Sequence, residues 1–234
     1  IENCSVGAAT IKGAGSRPAE PDGNGDPNPA NGSGKGGLGG ILGYGAGRLS
    51  DCMSDALIEA EGSEVYGIGG IVGVKGSTQG KLEVERCGFT GTIKAEGKAD
   101  SVGGILGSNS DGGSNRVNLN DVYANGTIDI AEHGDHMGGI MGSMPKNYES
   151  YGTTTIKNAY WNGTIANPVG KMFDTIAGNN GTSVSNAYYS DEDGFASSRP
   201  GAEGKPGSAF ISGEIAYELD KDHDPRGTWT QGED

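Results

Sequence analysis

One short pattern recurs along this chain and restricts what it can fold into. It runs aliphatic, any residue, polar, small apolar. It appears as Ile1-Glu2-Asn3-Cys4, Leu49-Ser50-Asp51-Cys52, Val84-Glu85-Arg86-Cys87, Leu119-Asn120-Asp121-Val122, Ile156-Lys157-Asn158-Ala159 and Val184-Ser185-Asn186-Ala187. The last positions of these segments step by 48, 35, 35, 37 and 28 residues. A second column follows. Gly91-Thr92-Ile93, Gly126-Thr127-Ile128 and Gly163-Thr164-Ile165 share one offset from Cys87, Val122 and Ala159; Ala56-Leu57-Ile58 matches from Cys52, and Ile11 matches with one extra residue. A third column precedes the next repeat. It reads Gly39-Gly40-Ile41-Leu42-Gly43, Gly69-Gly70-Ile71-Val72-Gly73, Gly103-Gly104-Ile105-Leu106-Gly107 and Gly138-Gly139-Ile140-Met141-Gly142, with a decayed copy at Asp174-Thr175-Ile176-Ala177-Gly178. Columns that keep one order define a repeat array, in which each unit buries its apolar face against its neighbour.

Each repeat therefore holds about three short apolar segments, rich in β-branched residues and bounded by Gly, Asn, Asp or Thr. Such segments read as strands. The fold expected is all-β: a parallel, right-handed β-helix or β-solenoid of about six coils with a C-terminal cap. Equivalent residues then stack at the strand spacing of ~4.8 Å. The aliphatic and small positions form inward ladders, with Cys4, Cys52 and Cys87 acting as small hydrophobes that Val or Ala replaces further on. A Cys4–Cys52 or Cys52–Cys87 bridge also fits the spacing. The polar residue before each small position suits a left-handed corner, because Asn and Asp tolerate that conformation. The glycines of the third column mark positive φ or close backbone approach.

Composition narrows the function. Glycine supplies 46 of 234 residues without a three-residue period, which excludes collagen. A hydrophobic fraction of 33% cannot build a wide core, so a narrow stacked one is expected. The net charge of −14 argues against nucleic acid and anionic membrane surfaces as partners. No apolar run approaches ~18 residues, so no membrane insertion is expected, and no signal peptide is visible. The chain opens within a repeat, at Ile1 to Cys4, so it is expected to be part of a longer, multidomain parent.

At Gly69 to Gly73, Val84 to Cys87, Gly91 to Ile93 and Ile156 to Tyr160 the chain resembles the GLUG-motif repeats of bacterial surface proteins. The segment Ser212-Gly213-Glu214-Ile215-Ala216-Tyr217-Glu218-Leu219, with Trp229, Gln231 and Gly232, is similar to the one that often closes such arrays. The resemblance covers about 1–190 by repeats and 208–234 by tail. It implies an extracellular or wall-attached, adhesin-like protein with no catalytic residues in the repeats. Some relatives adjoin a peptidase domain. Departures are the insert after Ile11, Arg86, and the decayed fifth glycine segment.

Residues 1–190 are read as the solenoid, with 12–37 as a Gly/Pro-rich ejected loop, and 191–234 as connection and cap. A short helix is expected near Ser212–Leu219, with Ser212 as its N-cap. Tyr123, Tyr160 and Tyr188 each follow a small core position, so alternation points them outward; Trp161 and Tyr189 come next. Exposed stacked aromatics suit a glycan or a protein partner. Asp220, Asp222 and Asp224 alternate as in calcium loops, so a structural calcium is the one cofactor in view, although Pro225 and Arg226 follow where an EF-hand wants Gly. His133-Gly134-Asp135-His136 lacks zinc-protease spacing and reads as a surface loop. No recurrent carboxylate pair of the kind polysaccharide hydrolases need stands on neighbouring coils. The function expected is adhesin-like binding of a host or matrix glycan or protein. The alternatives are a non-binding stalk that presents another domain and, less favoured, a carbohydrate-active β-helix enzyme.

Overall fold

The computed structural model describes residues 1–13, 37–62, 64–76, 80–109, 116–133, 136–143, 154–166, 172–178, 181–192, 194–223 and 227–230. The expected ejected loop thus lies, from 14 to 36, outside the described residues.

Strands follow the repeats. The first repeat gives β1 (Ser5–Val6), β2 (Thr10–Gly13), β3 (Leu38–Gly39) and β4 (Leu42–Gly45). The second gives β5 (Gly47–Ser50), β6 (Met53–Ser54), β7 (Leu57–Ala60), β8 (Glu64–Gly69) and β9 (Val72–Lys75). The third gives β10 (Leu82–Phe89), β11 (Thr92–Gly103) and β12 (Leu106–Asn109), and the fourth β13 (Val117–Ala124), β14 (Thr127–His133), β15 (His136–Gly138) and β16 (Met141–Ser143). Then come β17 (Thr154–Trp161), β18 (Thr164–Ala166), β19 (Met172–Asp174), β20 (Thr182–Ser190), β21 (Ala202–Lys205), α1 (Gly207–Ile211) and α2 (Glu214–Asp220).

Among the described residues the strands form three sheets, paired in parallel. The first runs β1-β6-β10-β13-β17-β20-β21, with β5 also on β10. In the second, the long β11 bridges two rows, pairing with β7 and β14 at one end and with β8 and β15 at the other. The third is β4-β9-β12-β16. Partners come from adjacent repeats, and the register matches the sequence columns. Leu49 pairs Val84, Val84 pairs Leu119, Leu119 pairs Ile156, and Ile156 pairs Val184. These five are buried together with Ile58, Ile93, Ile128 and Ile165 of the second column and Ile71, Ile105, Ile140 and Ile176 of the third. Burying an aliphatic side chain contributes about 2 kcal/mol, so one narrow spine of such residues holds a chain with so few apolar groups.

The corner is where the sequence places it. Asn3, Asp51, Arg86, Asp121, Asn158 and Asn186 all adopt φ between 49° and 57°. Left-handed backbone costs an L-residue about 1–2 kcal/mol, and side-chain bonds along the corner offset it. Asn158 donates to Asp121 (3.1 Å), Asn186 to Asn158 (2.8 Å), and the Tyr188 hydroxyl to Asn186 (3.0 Å). Arg86, the departure from Asn/Asp, forks onto Asp51 through Nε (2.6 Å) and Nη2 (2.8 Å).

The glycines of the third column owe their identity to close approach; their φ is not positive. A Cβ on Gly69, Gly103 or Gly138 would stand 1.9–2.4 Å from the carbonyl oxygen three residues ahead, and 2.7–2.8 Å from an amide nitrogen of the next repeat. On Gly70, Gly104 or Gly139 it would meet the next repeat's carbonyl at 2.2–2.4 Å. The third glycine faces the other way: a Cβ on Gly73, Gly107, Gly142 or Gly178 would strike the preceding repeat's glycine carbonyl at 2.5–2.6 Å.

The C-terminal residues do two jobs. The segment from Phe195 to Lys205 lies over the last repeat. Phe195 meets Phe173 edge-on at 5.3 Å, and β21 pairs with β20 from Ala187↔Ala202 to Ser190↔Lys205. The helices then turn back along the outer side of the first sheet, so the part expected to close the end covers a flank. The helix expected near Ser212–Leu219 is α2, which starts at Glu214 behind Gly213 at φ 83°. The Ser212 hydroxyl oxygen accepts from the Glu214 N–H at 3.4 Å.

Candidate functional site

The first sheet carries the aromatic column. Gly88, Tyr123, Tyr160 and Tyr188 occupy one register row. The rings of Tyr123 and Tyr160 stack with centroids 5.2 Å apart and planes at 15°. Gly88 makes room for the stack: a Cβ there would stand 2.4 Å from the Tyr123 ring.

The C-terminal strap covers this row. Trp229 lies 6.3 Å from the Tyr123 ring and 5.7 Å from that of Tyr160; Phe210 lies 5.7 Å from Tyr160. Tyr188 is buried with Ala209, Ile215 and Leu219 in a small second core. Burial raises the hydroxyl pKa of Tyr123 and Tyr160, the latter further through the neighbouring Tyr123. Tyr123 and Tyr160 stay half-buried. Tyr188 lies under the strap, not in the open.

Trp161 and Tyr189 require a correction. The alternation that turns Tyr160 and Tyr188 outward turns the next residue inward. Ser54, Phe89, Ala124, Trp161 and Tyr189 form one core row, with Trp161 at 3% and Tyr189 at 8% exposure. Small and large residues alternate from Ser54 to Trp161, and the rings lie on glycines: a Cβ on Gly70 would hit Phe89 at 2.2 Å, and one on Gly139 would hit Trp161 at 2.4 Å.

Polar groups pin the strap. Asp121, buried at the corner, accepts from Trp229 Nε1 at 3.3 Å, and His223 Nε2 lies 2.7 Å from the same oxygen. Asp220 accepts the backbone N–H groups of Gly227, Thr228 and Trp229 at 2.9–3.2 Å, which lowers its pKa. Of the acidic triplet read as a calcium loop, Asp220 therefore anchors a turn, Asp222 is exposed, and Asp224 lies outside the described residues. Among the described residues no group of three or more His, Cys, Asp or Glu side chains is placed to hold a metal. Glu192 of the other acidic turn accepts from the Gly207 N–H at 3.0 Å.

Two polar sites go beyond what the repeat pattern alone implies. At the decayed glycine segment Asp174 is buried (2%); its Oδ1 accepts from the Ile176 and Ala177 N–H groups and the Ser197 hydroxyl, and its Oδ2 from the Ser198 N–H and hydroxyl. Arg199 Nε lies 3.6 Å from Oδ2 and donates to the Ala177 carbonyl at 3.0 Å. A polar residue where four copies hold glycine was the available signal. The second site is His136, which is in β15, not on a surface loop, with Nδ1 3.0 Å from Asp100.

The thiols of Cys4, Cys52 and Cys87 are free. Cys52 and Cys87 are buried, and burial pushes the Cys87 pKa up to about 12. A thiol held that far from ionisation is a poor nucleophile and behaves as core. Comparison with protein-family models, with curated proteins and with solved structures finds no match for this chain.

Proposed function

We propose that this chain is a non-catalytic structural segment of a bacterial cell-surface protein: a β-solenoid of about six coils that spaces or presents another module. The observation that carries this reading is what the outward groups do. The tyrosine row, the corner carboxylates and the acidic turns, where a ligand would bind, instead hold the chain's own C-terminal segment or one another. The surface location rests on the resemblance of the repeats to the GLUG motif. The stacked-coil reading rests on in-register parallel pairing between repeats about 35 residues apart.

A second reading keeps the adhesin role. It is favoured by the stacked rings of Tyr123 and Tyr160, which the strap leaves half-buried. Glycan arrays and immobilised matrix proteins separate the two. The stalk reading expects no retained ligand. Binding that falls at least tenfold in Tyr160→Ala, with the fold intact by circular dichroism, would establish the adhesin reading in its place.

A further inference from the structure

The face formed by the first repeat carries an unfinished version of the interface found between all the others. Cys4, Val6, Ile11, Leu38, Ile41 and Leu42 are only half-buried. One repeat further in, the same columns hold Cys52, Ser54, Ile58, Ile68, Ile71 and Val72, all at 0–1% exposure. The edges are unfinished too. Among the described residues β1, β2, β3 and β4 each pair on one side only, with β6, β7, β8 and β9. Parallel edges and half-covered aliphatics together make a template for further strands.

We propose that this face is a docking surface for one more coil of the same three-segment pattern, added in parallel and in register. This rests on the stacked-coil reading. The occupant follows from the inter-repeat interface, which already joins aliphatic to aliphatic from Leu49 through Val84 to Leu119 and small to small from Cys87 through Val122 to Ala159. A second copy of the chain is a poor occupant. The end that would complement this face is closed by Phe195, Arg199 and β21. Residues 14–36 contain no large aliphatic or aromatic side chain with which to fill the columns.

The test duplicates residues 49–83 directly before Ile1, which puts the added Leu49 in the column of Ile1. Hydrogen exchange is then read at residues 1–13 and 38–45 in the full chain with and without the addition. The expected result is exchange slowed roughly tenfold or more in both segments. Unchanged exchange there, with 82–89 and 117–124 still protected, overturns the docking surface and leaves the stacked reading standing; loss of protection at 82–89 and 117–124 as well would refute the stack itself. A second duplication, with the added Leu49, Ile58 and Ile71 changed to Asp, is expected to give no slowing. Slowing by that variant, or a dimer of the unextended chain by light scattering with residues 1–13 protected, also overturns the proposal.

Discussion

The four glycine turns inside the array and the last turn, at Asp174, share a column but not a composition. Inside, Gly138 and Gly139 are confined by the backbone of the repeat that follows: the Gly178 amide lies 2.8 Å and the Thr175 carbonyl 2.3 Å from where their Cβ atoms would stand. In the last turn Asp174 takes the register of Gly138, and no further repeat of the pattern presses on it. The freed space holds a carboxylate with five donors and a guanidinium. Gly178, which faces backward onto Gly142, stays glycine. The decay of the motif is thus selective. The two positions facing onward change, and the one facing back does not.

This contrast can be broken by mutation. The largest effect is expected for Gly139→Val, whose Cβ would meet the Thr175 carbonyl at 2.3 Å and the Trp161 ring at 2.4 Å. A loss of about 3 kcal/mol or more is expected by urea denaturation. Asp174→Ala leaves Arg199 without its carboxylate beneath the closing segment and is expected to cost about 3 kcal/mol, with faster exchange at 195–205. On the flank, His223→Ala removes one of the partners of the buried Asp121 carboxylate and is expected to cost about 1 kcal/mol, read as faster exchange in α1 and α2. Thr175 occupies the position of Gly139, and its buried Oγ1 has no hydrogen-bond partner among the described residues. Thr175→Val is expected to be neutral or stabilising by up to about 1 kcal/mol, although valine at position 139 would be ruinous.

Sequence reading reached the parallel, in-register pairing of the repeats because its information is periodic. Leu49, Val84 and Leu119 carry the register, and the Asn/Asp residues before each small position mark the corner by their tolerance of left-handed backbone. Arg86 looked like a break in the pattern, and a salt bridge to the neighbouring Asp51 explains it. Trp161 and Tyr189 lie one alternation step past the tyrosines, and that step turns them into the core. Phe89 and Ala124 in the same column showed the way inward. The strap was out of reach for a different reason: its bonds join residues 65 and 108 apart, His223 to Asn158 and Trp229 to Asp121, and no repeat encodes them.

The claim beneath all of this is that residues one repeat apart touch. Methyl–methyl nuclear Overhauser contacts in a Leu/Val/Ile-labelled sample measure it directly. Cross-peaks joining Leu49 to Val84, Val84 to Leu119 and Leu119 to Ile156 are expected, at separations set by the ~4.8 Å strand spacing. A spectrum in which those pairs show no contact, while each methyl sees only its own repeat, would contradict the account.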